Sequence, residues 1–278
     1  MKLYKFREVD TFSLSGLSNS VLWFSDLGKF NDPFEGSYVL DETVSDYVRK
    51  NLLSRVTPIP DSEVDVAQRD RMLKEAGVTD NDSQEELFFK MLKRDFEKAM
   101  IGTVHKSKAI CMSRYDDNDD PLYENLMWSH YAGGLRGFCL VFDSEQLQQD
   151  FYDQELTIRP IEVEYQDRPV TLSLDSFARS RHILNDNPMT DTITDITKTI
   201  GTKSKAWKYE KEYRLLTLEN GNGHSYSPKC LKELVIGEKM PKDQQKLVID
   251  TAKSANPDVL IKLARLKKGT YQLEIVDY

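Results

Sequence analysis

Cysteine and histidine are both scarce in this chain. Three cysteines (Cys111, Cys139 and Cys230) occur in 278 residues. They are odd in number and far apart, and no two have CxxC spacing. A disulfide framework and a cysteine-built zinc site therefore lose their basis. Cys111 and Cys139 stand in apolar runs, where a buried free thiol is expected. The four histidines (His105, His130, His182 and His224) are scattered, with no HExxH or other paired spacing, so a histidine metal centre has no support. Long apolar runs are missing too: none approaches the roughly 20 residues that a membrane span needs. The opening MKLYKFREVD lacks the apolar core of a signal peptide. A cytoplasmic location with no membrane partner is the expectation. Net positive charge is also lacking. At -8 the whole molecule is no electrostatic match for nucleic-acid phosphates, although a local basic patch would still bind them. The G-x-S-x-G elbow and the P-loop pattern are absent, which removes the main support for a Ser-His-Asp hydrolase or a P-loop NTPase.

The remainder is that of a globular protein. Hydrophobic content is 39% and charged content is 30%, which argues against general disorder. Residues 2–7 (KLYKFR) suit a short strand with Leu3, Lys5 and Arg7 on one face and Tyr4 and Phe6 on the other. An edge strand with solvated charges is the plain structural alternative. Residues 9–19 suit a helix or turn, and 21–25 (VLWFS) a strand. Asn31-Asp32-Pro33 is a strong turn signal, since Asn and Asp bond their own backbone and Pro presets φ. Phe30 and Phe34 flank that turn as anchors, and Glu35 follows it. Residues 41–105 carry helical periodicity, interrupted at Pro58 and Pro60. In their last helix Leu87, Phe88, Met91, Leu92, Phe96 and Met100 form a core stripe, capped by Asp82 or Ser83.

Strands are expected at 108–114, 137–143, 161–165, 213–218, 231–236, 259–265 and 271–276. Helices are expected at 122–132, 145–152 and 241–255, and in two pieces within 173–204. No repeat, low-complexity tract or linker is found. The pattern predicts a single α+β domain spanning 1–278. It has a central mixed or split β-sheet, flanking helices and a helical insertion at about 41–105.

The densest chemistry lies in residues 110–143. Asp116, Asn118 and Asp120 match the first three ligand positions of an EF-hand loop. Pro121 stands where that loop needs Gly, however, and Met127 where it needs Glu, which excludes the EF-hand. A solvated acidic loop is expected, with a looser hard-cation site as the alternative. On the helix that follows, Asn125, Trp128, Ser129 and Ala132 share a face while His130 and Tyr131 turn aside. A Trp, His and Tyr beside Gly133-Gly134 would stack a planar ring and hydrogen-bond a ribose or phosphate. A core Trp and a satisfied His are the alternative. Later in the chain, alternation puts Glu210, Glu212 and Arg214 on one strand face if the strand begins that early. Two carboxylates with an Arg would orient a sugar hydroxyl or stabilise an oxocarbenium-like centre, or would form a plain ion-pair network.

Four groups of residues then carry a resemblance: Leu3-Tyr4-Lys5-Phe6-Arg7; Leu22-Trp23-Phe24-Ser25 with Phe30 to Glu35; Met127 to Ala132 with Gly137-Phe138-Cys139; and Trp207 to Arg214. In this order they resemble the bacterial domain of unknown function 2971. More distantly, the layout is similar to ADP-ribosyltransferases of the DNA-targeting toxin type. Those begin with a short Tyr-His strand, continue into a Ser-bearing strand and present a catalytic Glu on a late strand. Lys5 stands where that pattern has His, which is a departure; Glu212 matches the late Glu.

This resemblance implies an NAD-using effector of a toxin or antiviral defence system, with NAD as substrate and no metal. Its acceptor would be a nucleic acid or a protein. It implies Glu212 and His130 as catalytic residues, with Glu212 orienting a nicotinamide-ribose hydroxyl. Tyr4, Lys5, Arg7, Ser25, Asn31, Asp32, Glu35, Trp128, Tyr131, Glu210 and Arg214 would then surround the dinucleotide. Two other classes stand beside it: a non-catalytic ligand-sensing or nucleic-acid-associated defence module, and a metal-dependent nuclease or hydrolase built on the acidic loop. A catalytic site requires Lys5, Asn31, His130 and Glu212 to converge on one cleft.

Overall fold

The computed structural model describes residues 1–53, 66–79, 81–114, 120–180, 194–195 and 197–278. Its elements begin with strand β1 (Lys2–Arg7), helix α1 (Thr11–Ser18) and strands β2 (Val21–Trp23), β3 (Ser25–Asp26) and β4 (Tyr38–Asp41). Helices α2 (Asp46–Leu53), α3 (Val66–Glu75) and α4 (Gln84–Lys106) follow. Next come β5 (Lys108–Arg114), α5 (Asn125–Tyr131), β6 (Phe138–Asp143), α6 (Ser144–Asp153), β7 (Ile158–Glu162), β8 (Glu164–Gln166), β9 (Val170–Ser173) and α7 (Leu174–Ala178). The chain closes with β10 (Thr202–Ser204), β11 (Glu212–Thr217), β12 (Gly223–Ser225), β13 (Leu231–Gly237), α8 (Lys242–Ala255), β14 (Leu260–Leu266) and β15 (Leu273–Asp277). The α+β class is the one found. Among the described residues no helix is long and apolar enough to cross a membrane.

These elements group into two compact units. The first comprises Met1–Pro33, Ser107–Asp167 and Lys203–Tyr278; the second comprises Phe34–Lys106 and Arg168–Thr202. The helical insertion expected at about 41–105 falls in the second unit, which also takes in the later segment.

The first unit is built on a nine-stranded sheet whose main path runs β15-β14-β13-β6-β1-β5-β11-β7, with β3 also paired to β5. β1 lies between β6 and β5, so it is not the edge strand held open as an alternative. Alternation along it serves two cores. Leu3 joins Phe24, Ile110, Met112, Phe138, Leu140 and Leu215 on one side. Tyr4 and Phe6 join Trp128, Cys139, Val141 and Val235 on the other. Phe6 meets Trp128 edge-on, with ring centroids 5.2 Å apart.

The two ladders of β1 differ. Against β6 the pairing is continuous, from Lys2 opposite Asp143 to Arg7 opposite Phe138. Gly137 allows this close approach: any Cβ there would run into the Arg7 carbonyl and the Ala132 backbone. Against β5, only Leu3 with Arg114 and Tyr4 with Ser113 are paired. Further along β5, the same edge is taken by β3, with Ser25 opposite Ala109 and Asp26 opposite Lys108. The sheet is thus split. Between these two pairings, Ile110, Cys111 and Met112 face a gap rather than a strand.

In the second unit β4 and β9 pair in parallel. Phe96 of α4 packs edge-on against Phe177 of α7, with centroids 5.2 Å apart. Leu92, Phe96 and Met100 are buried, as the stripe predicts. Ser83 caps α4 reciprocally with Glu86: the Ser83 amide donates to the Glu86 carboxylate (2.8 Å) and the Glu86 amide to the Ser83 hydroxyl (3.3 Å).

Three expectations need correction. Thr202–Ser204 is a strand, β10, paired with β8, where a helix was expected. The helix expected from 122 is split into a 3-10 turn (Pro121–Tyr123) and α5, because Glu124 takes an extended conformation and caps α5 itself. The strand expected at 161–165 breaks at Val163, so β7 pairs with β11 and β8 with β10. The Pro58 and Pro60 break, most of the acidic loop and the Asn-Asp-Asn-Pro segment at 185–188 lie outside the described residues.

Candidate functional site

A cavity of about 850 Å³ opens in the first unit along the split between β1 and β5. That is within the range of small-molecule and cofactor sites, roughly 300–1,000 Å³. Tyr4, Lys5, Phe6 and Arg7 line it from β1, and Ala109 to Ser113 from β5. Ser25, Phe30, Asn31, Tyr131, Lys203, Glu210 and Glu212 complete the polar part of the wall, and Phe12 and Trp23 contribute aromatic surface.

One part of this wall is a buried ion cluster. Glu212 opens β11, and Arg214 follows on the same face. The Arg214 Nε donates to Glu212 Oε1 at 2.8 Å and its Nη2 to Oε2 at 3.1 Å. Glu210 is not on that strand. It ends a 3-10 turn (Lys205–Glu210), and Lys211, at φ 46°, swings the chain through the left-handed region before β11 starts. This turn, not strand alternation, brings the two carboxylates together. Lys203 Nζ then bridges them, 2.6 Å from Glu210 Oε2 and 3.1 Å from Glu212 Oε2. The Tyr131 hydroxyl donates to Glu210 Oε1, and Asn31 Nδ2 donates to the Tyr131 hydroxyl at 3.2 Å. The Asn31 turn, α5 and β11 are thus linked through Tyr131, Glu210, Lys203 and Glu212.

The shared cations do not treat the two carboxylates alike. Burial raises the Glu212 carboxyl, but Arg214 and then Lys203 outweigh it and hold it down at about 2. Burial also raises Glu210, and there Lys203 and Tyr131 do not cancel it, so Glu210 stays above the usual carboxylate range. Burial lowers the Lys203 ammonium, but Glu212 and Glu210 more than reverse this and keep it charged. Burial and the Glu210 carboxylate push the Tyr131 phenol up, which makes it a firm proton donor. Adjacent carboxyl groups driven in opposite directions are the pattern from which acid and base roles are assigned.

The other part of the wall is cationic. Lys5 Nζ donates to the Cys111 carbonyl at 2.5 Å, spanning the split. Burial, then Arg7, pull the Lys5 ammonium down to about 8. Burial also lowers the Arg7 guanidinium. Among the described residues neither cation has a carboxylate within ion-pair distance.

Of the four side chains expected to converge, Lys5, Asn31 and Glu212 line the cavity. His130 does not. It is exposed on α5, with Nδ1 2.8 Å from the Tyr209 hydroxyl. Tyr4, Arg7, Ser25, Tyr131 and Glu210 also line the cavity. Trp128 is core: it is 1% exposed and its Nε1 donates to the Leu122 carbonyl at 2.8 Å. Arg214 stands behind Glu212, fully buried, with its guanidinium over the Phe30 ring at 5.4 Å. Asp32 is buried without lining the cavity, and Glu35 belongs to the second unit. Asp120 is not a solvated loop residue: its side chain accepts from the Leu122 amide at 2.9 Å, and burial raises its carboxyl. Sequence reasoning missed Lys203, Phe12 and Cys111 as cavity residues. Nothing in Lys203-Ser-Lys marks one lysine as the clamp, because the fold alone decides which one turns inward. Among the described residues no group of three or more His, Cys, Asp or Glu is arranged to hold a metal ion.

Residues 127–215 match the model of the family described as Protein of unknown function (DUF2971). The matched stretch contains Tyr131, Lys203, Glu210 and Glu212, the acidic wall of the cavity; β1, with Lys5 and Arg7, lies before it. No curated protein and no solved structure matches the chain.

Proposed function

We propose that the first unit uses NAD as a substrate and transfers its ADP-ribose group to an acceptor. The observation that carries this reading is the Glu210–Glu212 pair, two carboxyl groups of opposite protonation tendency on one cavity wall with Tyr131 and Asn31. In such a transfer the bond between ribose C1′ and the nicotinamide nitrogen breaks. Its electron pair leaves with nicotinamide, and positive charge develops on the ribose ring. A carboxylate held ionised beside that ring, as Glu212 is, stabilises the charge as it forms. Glu210, the more easily protonated of the two, accepts a hydrogen bond from a ribose hydroxyl or takes the acceptor's proton as its lone pair bonds to C1′. Asn31 and Tyr131 hold the Glu210 carboxyl toward the sugar. In a cytoplasmic toxin or antiviral defence effector, the acceptor would be a nucleic acid or a protein.

The test is release of nicotinamide from NAD by the purified chain, supplied with nucleic-acid and protein acceptors. Release is expected from the wild type. A fall of at least about 100-fold is expected in Glu210→Gln and in Glu212→Gln, the scale of a lost acid–base or charge-stabilising group. Undiminished release from a folded Glu210→Gln protein would rule the reading out.

One observation favours a second reading, a ligand sensor without turnover. Glu212 already accepts from Arg214 twice and from Lys203 once, which suits an anchor as well as a reacting group. NAD binding with no nicotinamide release would support the sensor. The metal-dependent nuclease alternative rests on the acidic loop, through Asp116 or Asp120; Asp116 lies outside the described residues, and Asp120 accepts from the Leu122 amide at 2.9 Å.

A further inference from the structure

Lys5 and Arg7 occupy alternate positions of β1 and both line the cavity. Two like charges so close, partly withdrawn from water, repel each other unless a counter-charge is supplied. The nearby groups do not supply it. Glu210 and Glu212, which face Lys5, are committed to Lys203 and Arg214. Asp10, the acid that acts most on Arg7, also lines the cavity but stands beyond ion-pair distance, with its Oδ1 accepting from the Ser13 amide at 2.7 Å at the start of α1. The Cys111 thiol is pushed up by burial and stays neutral. Among the described residues Lys5 and Arg7 are thus left without an ion-paired anion.

Two aromatic side chains add a second feature. Phe12 is 86% exposed and Trp23 is 55% exposed, and both line this same cavity. Large exposed aromatics beside a polar cavity offer faces for stacking a planar ring. We infer that Lys5 and Arg7 form the phosphate subsite of a nucleotide ligand, and that Phe12 and Trp23 take up its base. Arg7 presents a planar fork that matches two phosphate oxygens, while Lys5 acts as a point charge. The inference deepens the NAD reading, on which the choice of a nucleotide rests.

Calorimetric titration with inorganic pyrophosphate, ADP and a short single-stranded oligodeoxynucleotide tests this. Wild type, Lys5→Met, Arg7→Met, Arg7→Lys and Trp23→Ala are compared, with thermal melts to establish that each is folded. Pyrophosphate and ADP are expected to bind the wild type, and Lys5→Met and Arg7→Met each to weaken both by about tenfold or more. Arg7→Lys, which keeps the charge, retains more affinity than Arg7→Met, and Trp23→Ala weakens ADP but not pyrophosphate. Pyrophosphate affinity unchanged in folded Lys5→Met and Arg7→Met proteins would overturn the subsite. Binding of the oligonucleotide with none of ADP would overturn the free-nucleotide assignment. ADP binding that depends on Lys5 and Arg7, without nicotinamide release, leaves this inference standing and removes the transferase reading. Nicotinamide release without such binding does the reverse.

Discussion

Arg214 grips Glu212 with two charge-assisted hydrogen bonds inside the first unit, at 2.8 and 3.1 Å, and neither side chain is more than a few per cent exposed. Removing one partner of such a pair strands the other's charge. Arg214→Met is expected to cost about 3–5 kcal/mol, measured by urea denaturation at neutral pH. The pH dependence carries the same signature. The Glu212 carboxyl is held down at about 2, below its ordinary 4.5. Its contribution is therefore complete above about 4.5 and is lost as pH falls toward 2, because the unfolded chain takes up the proton first. In Arg214→Met that acid limb flattens. A variant with wild-type stability and an unchanged acid limb would contradict the pairing.

Tyr131 acts on the site through Glu210. Tyr131→Phe removes the hydroxyl that donates to Glu210 and accepts from Asn31, while keeping the ring. A loss of about 1–3 kcal/mol is expected from the stranded polar groups. In the nicotinamide assay the fall is expected in kcat more than in KM. A change confined to KM would place Tyr131 in ligand binding instead.

Trp128 separates core from site. It packs behind Phe6, a wall residue, and does not itself line the cavity. Trp128→Ala is expected to cost about 3–5 kcal/mol of stability. The milder Trp128→Phe should leave ADP affinity unchanged. A specific loss of affinity in a stable Trp128→Phe protein would return this residue to the ligand.

How much of this was legible in the sequence follows from what each signal depends on. Alternation at Lys2–Arg7 and the apolar run at 138–143 located β1 and β6, because burial writes a period directly into a strand. A split sheet was among the expectations, but its place between β1 and β5 was not legible: it is a matter of register between residues about 100 apart, to which no local pattern responds. Glu210 and Glu212 were legible as a pair, but for a reason that the left-handed Lys211 replaces. The Trp128-Ser-His130-Tyr131 cluster gave one cavity residue out of three rings, since α5 buries Trp128, exposes His130 and aims only Tyr131 at Glu210. Lys203 had no signal at all.

His224 gives a pH test in another part of the first unit. It is buried edge-on against Phe24, with centroids 5.0 Å apart, and among the described residues its Nε2 has no hydrogen-bond partner. Burial, then Lys108, lower its pKa from the usual 6.5. The folded state thus favours neutral imidazole. The stability it protects is present above 6.5 and is lost as pH falls below that value, since the unfolded chain protonates first. Thermal melts between pH 7.5 and 5 are expected to show a decline that His224→Leu reduces. Identical slopes in the two proteins would remove His224 from the account.

Lys5 predicts the opposite limb. Its ammonium is held down to about 8 by burial and by Arg7, against the pull of Glu212 and Glu210. Pyrophosphate affinity is therefore expected to fall as pH rises through 8, when this charge is lost. Near pH 8 binding should also take up a proton, because a bound anion raises the Lys5 pKa; titration in buffers of different ionisation enthalpy measures this. An affinity that is flat across pH 8, with no proton uptake, would exclude Lys5 from the anion subsite.

The most direct measurement of the central claim is a crystal structure with NAD bound. The account predicts the dinucleotide in the split between β1 and β5. Its nicotinamide ribose should lie within hydrogen-bond distance of Glu210 or Glu212, and its diphosphate against Lys5 and Arg7. NAD seated elsewhere, or absent from this cavity at saturating concentration, would contradict it.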